Sequence, residues 1–419
     1  MNKIHRTVWS ESRQAYVVAH EGAAARGKSS TTRKAAVVTA VAAALAALSM
    51  DASAVSSCGV AGTTLVSAAE TSTCSLVTGE SLSVTGSIVL PALTGVIANN
   101  VLVGSIRNNG LISSAGTDVV YFNNSTVGAG ITNSGTISNL GSRDTLYLNN
   151  STISGGIINS GTISSGHHGI HMNSGANLID SIQNLPGGLI QTADTGILLS
   201  TGAVSGGVTN SGRIVSTGGI ALKASLATAF TNNPGGTVVG QISRNFNVTN
   251  NGLWALQLGS TLGGAVAGSQ VSSSISGNYV QGSTGALQVG VAGPASGQFS
   301  TLTVGGSVTL PASAQFNVAA GTAATCDGIT VGTTLTGVIT STGPVSAGGG
   351  YTVTDNCTGV DFIVQASTNR IDLVAITAAP VTAQSIPTLS EWGLIALSGL
   401  LGLFGWRQMR RRDPHNRLV

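Results

Sequence analysis

Short stretches of alternating hydrophobic and polar residues recur along the middle of the chain. Each stretch is followed by Asn and, two or three residues later, by Gly. The seven stretches begin at Ile106, Ile131, Ile157, Ile182, Val208, Phe230 and Val248, with spacings of 25, 26, 25, 26, 22 and 18 residues. Alternation with a period of two is typical of half-buried strands, and a repeat in the twenties is typical of one coil of a β-solenoid. The pattern therefore predicts a stack of similar β-coils.

A second alternating stretch in each coil assigns residues to two faces. Residues two positions apart lie on the same face of a strand, so one face is predicted to form the core. Its members are Val120, Phe122, Leu146, Leu148, Ile170, Met172, Ile197, Leu199, Ile220 and Leu222. The residues between them are predicted to point outward: Tyr121, Tyr147, His171, Leu198 and Ala221. A third short strand, as in residues 125–131, completes the coil.

One asparagine occupies the same position in every coil. These residues are Asn108, Asn133, Asn159, Asn184, Asn210, Asn232 and Asn250. Asn and Gly tolerate the left-handed backbone of a sharp corner, and stacked Asn amides can hydrogen-bond along a ladder. We therefore expect a corner at this position, with an amide ladder running through the stack.

These patterns predict an all-β fold, a right-handed parallel β-helix over residues 86–260, since parallel crossovers strongly favour the right hand. A cap at 55–85 is expected before it, a β-rich C-terminal cap region at 261–376 after it, and then a linker at 377–385. The composition agrees, because 58 of 419 residues are Gly and only 4% are aromatic. Such a chain gains its order from many small repeated contacts, as solenoids do.

The N-terminal region carries a predicted export signal. Residues 35–48 form an uninterrupted apolar run of 14 residues, preceded by Arg33-Lys34 and followed by Ala52-Ser53-Ala54. A basic region, a short apolar helix and an A-x-A site mark a secretory signal peptide, here residues 1–54 with cleavage after Ala54. The alternative interpretation of the apolar run is a buried helix.

The stretch before this signal resembles the extended signal peptide region of type V secretion proteins. The residues that carry the resemblance are Met1, Asn2, Lys3, Arg6, Val8, Trp9, Val17, Val18, Glu21, Gly27 and Lys28. The resemblance implies a Gram-negative source and a large, slowly folding, β-rich passenger. It also implies that the inner-membrane translocon and signal peptidase are partners.

The C-terminal region combines a short motif, an apolar run and a basic cluster. The motif residues are Ile386, Pro387, Thr388, Leu389, Trp392 and Gly393, and the basic residues are Arg407, Arg410, Arg411 and Arg412. The apolar run from Trp392 to Trp406 predicts a transmembrane helix, although its length of about 22 Å is short for a hydrocarbon core of about 30 Å. The arginines should keep the extreme C-terminus in the cytoplasm.

Residues 386–412, followed by a tail at 413–419, resemble the IPTL-CTERM sorting signal. The resemblance implies recognition by an exosortase-like sorting enzyme that cuts the tail, so that the body is transferred or released. The alternative is an unprocessed membrane anchor. In both cases the body is expected outside, either at the cell surface or outer membrane or secreted.

The NSGTIS-like repeats resemble autotransporter and adhesin passengers, and the chain from residue 279 to 375 resembles the C-terminal segment of such passengers. That resemblance implies a cap or folding nucleus there. Only 43 residues follow Ile376, whereas a membrane barrel of eight strands needs roughly 70 to 90. Self-translocation is therefore not expected.

Four cysteines flank the repeats, as Cys58 and Cys74 on one side and Cys326 and Cys357 on the other. An even number in an exported chain predicts disulfides. Of the three possible connectivities we favour the sequence-local pairs, which would secure the exposed ends of the solenoid. A zinc site would show tighter Cys-x-x-Cys spacing.

Charge argues against a nucleic-acid partner. The formal net charge is +3, but twelve of the basic residues lie within residues 1–34 and 407–417. Residues 55–385 hold six Lys and Arg against ten Asp and Glu. An acidic body without a basic stripe does not attract phosphate backbones.

One column of polar residues is the best candidate for chemistry. Asp118, Asp144 and His168 each lie five residues before the Asn123, Asn149 and Asn173 position, beside Tyr121, Tyr147 and His171. Stacked coils bring neighbours in such a column to about 5 Å, where they could bind a sugar or a cation. Repetition of polar residues at a solvated corner is the plain alternative.

No catalytic, cofactor or metal site is expected. His167 and His168 with His171 lack a nearby cysteine or a second acidic ligand in sequence, so no metal is assigned. Cofactor fingerprints are missing from the sequence.

We therefore expect a non-catalytic, adhesin-like surface protein that contacts a glycan, a matrix or a host surface. A surface polysaccharide-binding or polysaccharide-degrading enzyme that uses Asp118 and Asp144 is the alternative.

Overall fold

The computed structural model describes residues 5–10, 15–20, 58–175, 177–378 and 389–410. The chain divides into two units, Met1–Ala54 and Val55–Val419. In the first unit, strands His5–Ser10 and Ala15–His20 form an antiparallel hairpin. The predicted signal helix at 35–48 and the cleavage site at Ala52 and Ala54 lie outside the described residues.

From Gly62 onward the chain winds into coils, and each coil adds one strand to each of three parallel ladders. Parallel ladders arise because each coil repeats the alternating pattern of the previous one, so that like residues stack. The parallel coils extend on both sides of the range 86–260 and end at Asp355. This is the architecture of a parallel β-helix. Its right hand remains a prediction.

The strands of each ladder come from successive coils of the chain. The first ladder contains Gly62–Val66, Glu80–Val84, Ile106–Asn108, Ile131–Asn133, Ile157–Asn159, Ile182–Asn184, Val208–Asn210, Tyr279–Gln281, Val308–Leu310 and Val345–Ala347. The second contains Ala69–Glu70, Ser87–Leu90, Leu111–Ser114, Thr136–Asn139, Thr162–Ser165, Leu189–Thr192, Leu253–Leu256, Ala286–Val291, Gln315–Ala320 and Thr352–Asp355. The third contains Cys74–Leu76, Val96–Asn99, Val120–Asn123, Leu146–Asn149, Ile170–Met172, Thr195–Leu199, Ser273–Ile275, Leu302–Val304 and Thr334–Ser341.

Two long strands, Arg213–Asn232 and Thr237–Asn250, bend through the coil and contribute to all three ladders. A short ladder lies between the third and the first. It consists of Leu102–Val103, Thr126–Val127, Thr152–Ile153, Leu178–Ile179 and Ala203–Val204.

The predicted core is confirmed at nine of its ten positions, which are buried in one continuous hydrophobic cluster. Two assignments in the last coil are wrong, since Ile220 is half-buried and Ala221 is buried. The sequence alignment paired Ile220 with Ile197, whereas the structure pairs Leu222 with Ile197. The corner before this strand holds one more residue than in the coil below, because Thr192 pairs with Ser216 but Thr195 pairs with Ile220.

The amide ladder is confirmed. Along the first ladder each Asn side chain is buried and donates from Nδ2 to Oδ1 of the next coil at 2.7 to 2.8 Å. The ladder joins Asn108, Asn133, Asn159, Asn184, Asn210, Asn232 and Asn250. Because every buried amide in the stack has a partner, the ladder avoids the cost of burying unpaired polar groups.

The predicted left-handed backbone is found at two of the neighbouring glycines, Gly187 and Gly235, with φ of 84° and 82°. At Gly135 the reason differs, because a Cβ atom there would lie 2.1 Å from the carbonyl oxygen of Gly110 in the coil below. Left-handed residues also occur at the corner after the third ladder, where Asn100, Asn124 and Asn150 have φ of 56°, 46° and 46°. Asn tolerates this conformation better than most residues.

Both ends of the coil stack are cross-linked as predicted. Cys58 bonds to Cys74, and Cys326 bonds to Cys357. At the C-terminal end, strands Val360–Ser367 and Arg370–Thr377 pair antiparallel with each other, and the latter also pairs antiparallel with Thr334–Ser341. These antiparallel strands cover the last open edge of the third ladder, and exposed edges invite aggregation. A short 3-10 helix, Cys326–Gly328, begins at one disulfide cysteine.

An α-helix, Leu389–Arg410, forms in the predicted C-terminal segment. The prediction that it crosses a membrane is not supported, because no helix in the described part of the chain is both long and apolar enough to do so. The apolar run of 15 residues is itself only about 22 Å long.

Candidate functional site

The predicted polar column forms at the corner between the second and third ladders. Asp118, Asp144 and His168 precede successive strands of the third ladder. The backbone N–H of Val119 donates to the carbonyl of Asp144 at 3.1 Å, and that of Thr145 donates to the carbonyl of His168 at 2.9 Å. Parallel stacking therefore places one column residue above the next, as the sequence spacing predicted.

Each acidic residue of the column also accepts a bond from the next coil. The backbone N–H of Asp144 donates to Asp118 Oδ1 at 3.1 Å, and the N–H of His168 donates to Asp144 Oδ1 at 3.3 Å. Burial raises the pKa of Asp118, and the nearby charge of Asp144 adds to this effect, while the N–H of Asp144 opposes it. The column is thus bonded internally rather than freely solvated.

Asp144 is the centre of a larger cluster. Its side chain is only 6% exposed. Oδ1 accepts a hydrogen bond from His167 Nδ1 at 2.6 Å, and Oδ2 accepts one from His171 Nδ1 at 2.6 Å. Burial by itself would raise the pKa of Asp144, but the bonds from His171 and His167 outweigh it and lower that pKa. Asp144 is therefore an ionised carboxylate with both oxygens engaged.

His168 differs from its neighbours. Its side chain is 9% exposed, and its Nδ1 is buried without a hydrogen-bond partner among the described residues. Burial lowers the pKa of His168 to about 4, which leaves the imidazole neutral at physiological pH. Its ring lies 3.6 Å from that of His167, centroid to centroid, in a stacked arrangement.

Asp194 approaches the same place from the next coil. Its Oδ2 lies 3.7 Å from His168 Nδ1 and 3.7 Å from His167 Nε2, too far for hydrogen bonds. We name the whole group the acid–histidine corner: Asp118, Asp144, His167, His168, His171 and Asp194. One ligand atom from each of Asp144, His167 and His168 lies within 4.8 Å of the other two, a grouping able to hold a metal ion.

The predicted aromatic residues flank this corner. Tyr121 and Tyr147 are half-buried and stack with centroids 5.5 Å apart and planes 12° apart. His171 meets Tyr147 edge-on at 5.3 Å. As predicted, it shares the outward register of the tyrosines, but its side chain is buried, with only 9% of the residue exposed. Its bond to Asp144 and its contact with Ser200 Oγ at 3.4 Å cover it.

A second amide ladder runs beside the tyrosines, on the surface. Asn123 Nδ2 donates to Asn99 Oδ1, and Asn149 Nδ2 donates to Asn123 Oδ1, both at 2.7 Å. The Asn173 amide donates to the Tyr147 hydroxyl. The outward side of these coils therefore presents flat rings next to rows of amides.

The sequence pattern does not indicate two members of the corner, His167 and Asp194, as parts of the polar column. The sequence indicates His167 only as a candidate metal ligand, and it gives no role to Asp194. His167 lies three residues before Ile170, and Asp194 lies three residues before Ile197, so coil-by-coil alignment of the turn would have found the pair. The expectation of no metal assumed that acidic ligands were lacking, whereas Asp144 and Asp194 lie in the neighbouring coils.

The C-terminal motif and basic cluster lie partly outside the described residues. The residues outside are Ile386, Pro387, Thr388, Arg411 and Arg412. Leu389 begins the C-terminal helix, and Arg410 ends it. Trp392 and Gly393 lie within it, and Arg407 is exposed on it.

Comparison with known protein families identifies both ends of the chain. Residues 1–50 match the Extended Signal Peptide of Type V secretion system, and residues 384–411 match the IPTL-CTERM motif. Comparisons with curated proteins and with solved structures find no match. The two signals imply processing by signal peptidase and by a sorting enzyme such as an exosortase. The chain is therefore an exported, surface-sorted protein whose body has a β-helix-like fold.

Proposed function

We propose that this protein is a non-catalytic, adhesin-like surface protein that binds glycans on the outward side of its coils. The observation that carries the proposal is the stacked pair Tyr121 and Tyr147, which is half-exposed next to the surface amide ladder. Aromatic rings offer apolar faces to sugar rings, and Asn amides offer both donors and acceptors to hydroxyl groups. Stacked coils repeat these groups at the spacing of the strands.

The bonding of the carboxylates supports a binding role over glycoside cleavage. Glycosidases require two carboxyl groups that flank the bond to be cut, one as acid and one as base or nucleophile. Both oxygens of Asp144 are bonded to histidines, and Asp118 Oδ1 accepts the backbone N–H of Asp144. These bonds engage both oxygens of Asp144 and one oxygen of Asp118, which supports binding over acid–base catalysis by this pair.

A glycan array with the purified protein tests the proposal. We expect binding to a subset of glycans, a loss of at least tenfold in affinity for Tyr147→Ala, and no change for the control Leu102→Ala, which removes an exposed side chain of the short ladder. Release of product from acidic or neutral polysaccharides that Asp144→Asn abolishes would overturn the proposal in favour of an enzyme.

We further propose that the C-terminal signal is cut during display. The support is the match at residues 384–411, which includes the IPTL residues and the whole C-terminal helix. Mass spectrometry of the protein from the surface fraction should find a C-terminus between Pro387 and Leu389. Recovery of intact peptides from Arg410 to Val419 in that fraction would contradict cleavage.

A further inference from the structure

We propose that the acid–histidine corner binds one divalent transition-metal ion of the zinc class, with Asp144, His167 and His168 as protein ligands. The inference is independent of glycan binding, because it uses a different set of side chains. It rests on three observations: the grouping of ligand atoms, the unpartnered nitrogen of His168, and the position of Asp194.

The grouping fits the size of a zinc site. Zinc binds His nitrogen and carboxylate oxygen at about 2.0 to 2.2 Å, so the ligand atoms of a tetrahedral site lie about 3.4 Å apart. In the corner the three candidate atoms lie within 4.8 Å of one another, and His167 Nδ1 and Asp144 Oδ1 are 2.6 Å apart. Metal binding requires the distance between His167 Nδ1 and Asp144 Oδ1 to increase to about 3.4 Å, and the longer distances among the ligand atoms to decrease to about 3.4 Å. His167 has room to adjust, because its side chain is 41% exposed.

His168 supplies an independent indication of a missing partner. A buried polar nitrogen is ordinarily hydrogen-bonded, yet Nδ1 of His168 has no such partner in the described part of the chain. The atom lies within the corner, 3.7 Å from Asp194 Oδ2. A cation bound between these two atoms would satisfy both. A hydrogen bond cannot do so at this distance.

Asp194 lies at the solvent-exposed side of the corner, next to the fourth coordination position of the metal ion. Its side chain is 47% exposed and forms the solvent side of the corner together with His167. Either its Oδ2 or a water molecule can complete four-coordination there. A solvent-facing ligand gives the ion an entry path, which a wholly buried site lacks.

The surrounding groups favour a cation and select its type. Asp144 is held in place by His171, as a carboxylate ligand is held by an outer partner in known metal sites. Asp118 adds a further carboxyl group, and Arg143, next in sequence to Asp144, is the opposing positive charge. Imidazole with carboxylate suits zinc, nickel, copper or cobalt, whereas calcium and magnesium prefer oxygen ligands alone.

Isothermal titration of the chelator-treated full chain with zinc chloride tests the site. We expect about one zinc ion per chain at the corner, at least a tenfold weaker affinity in His168→Ala, and no displacement by excess calcium. The control is the double variant His5→Ala and His20→Ala, which removes two histidines that are paired in register across the N-terminal hairpin. Zinc binding at the corner should persist in that variant.

Unchanged zinc affinity in folded His168→Ala would overturn the proposal, as would complete loss of binding in the hairpin control. Circular dichroism establishes which variants fold. X-ray absorption of the zinc-loaded unmodified protein decides independently of any variant: two imidazoles plus oxygen ligands support the site, and a shell without imidazole rejects it.

Discussion

The two polar corners of the same coils differ in one respect. Along the first ladder, the same residue recurs in each coil, from Asn108 to Asn250, and each amide bonds to the next. At the acid–histidine corner the residue type changes from coil to coil, from Asp118 to Asp144 to His168. There a buried nitrogen remains without a hydrogen-bond partner among the described residues.

The difference in residue type changes how each column uses its hydrogen-bonding capacity. A repeated amide donates upward and accepts from below, so a uniform ladder uses its hydrogen-bonding capacity internally. A mixed column of carboxylates and imidazoles cannot pair in this regular way, and some of its capacity remains for a ligand. The uniform ladder therefore holds the coils together, whereas the mixed corner is the proposed metal site.

The largest expected effect comes from breaking the uniform ladder in the middle. Asn159 accepts from Asn133 at 2.7 Å and donates to Asn184 at 2.8 Å. Asn159→Ala removes both bonds and leaves Asn184 Oδ1 without this donor, and an unsatisfied buried group costs about 1 to 3 kcal/mol. We therefore expect the free energy of unfolding to fall by about 3 kcal/mol. Urea unfolding followed by circular dichroism measures it. A loss below about 1 kcal/mol would show that the ladder is dispensable.

A smaller loss is expected at the mixed corner without metal. Asp144→Asn removes a buried charge that accepts bonds from His167 and His171. Hydrogen bonds to charged groups contribute about 1.5 to 3 kcal/mol, but the Asn oxygen retains one of them, so we expect about 2 kcal/mol. The same urea experiment, carried out in chelator, gives the value. An effect equal to that of Asn159→Ala would remove the distinction between the two corners.

The smallest effect is expected on the surface amide ladder. Asn149 bonds to Asn123 at 2.7 Å, but water can replace its partners because this ladder is not buried. Asn149→Ala should therefore cost under about 1 kcal/mol. Comparison with Asn159→Ala shows how burial affects the contribution of an amide to stability, because each variant deletes one Asn side chain from a ladder of the same protein. Similar losses in both would mean that burial does not set the contribution of a ladder.

The sequence was sufficient for every feature that depends on the repeat. The coil period, the buried faces of strands such as Leu146–Asn149, and the ladder through Asn159 all follow from residues that recur at fixed spacing. The stacking of Asp118, Asp144 and His168 also follows from it. Stacking in register converts spacing in sequence directly into proximity in space.

Features that depend on turns could not be predicted in this way. Ile220 is misassigned because the matching Gly-Ile pairs at residues 196–197 and 219–220 align, whereas the structure shifts the second strand by two residues and pairs Leu222 with Ile197. Coil-by-coil alignment places Asp194 next to His167, but it does not give the approach of the Asp194 side chain to His168 Nδ1, which depends on how the turn folds. Spacing alone also could not show that His171 would turn towards Asp144 and become buried. The described helix Leu389–Arg410 confirms local helix formation, and no helix among the described residues is both long and apolar enough to cross a membrane.

Anomalous diffraction at the zinc absorption edge, from crystals of the protein grown with zinc, tests the division between the two corners most directly. We predict a strong peak bounded by Asp144, His167 and His168, and no peak along the ladder from Asn108 to Asn250. An empty acid–histidine corner in zinc-containing crystals would contradict it.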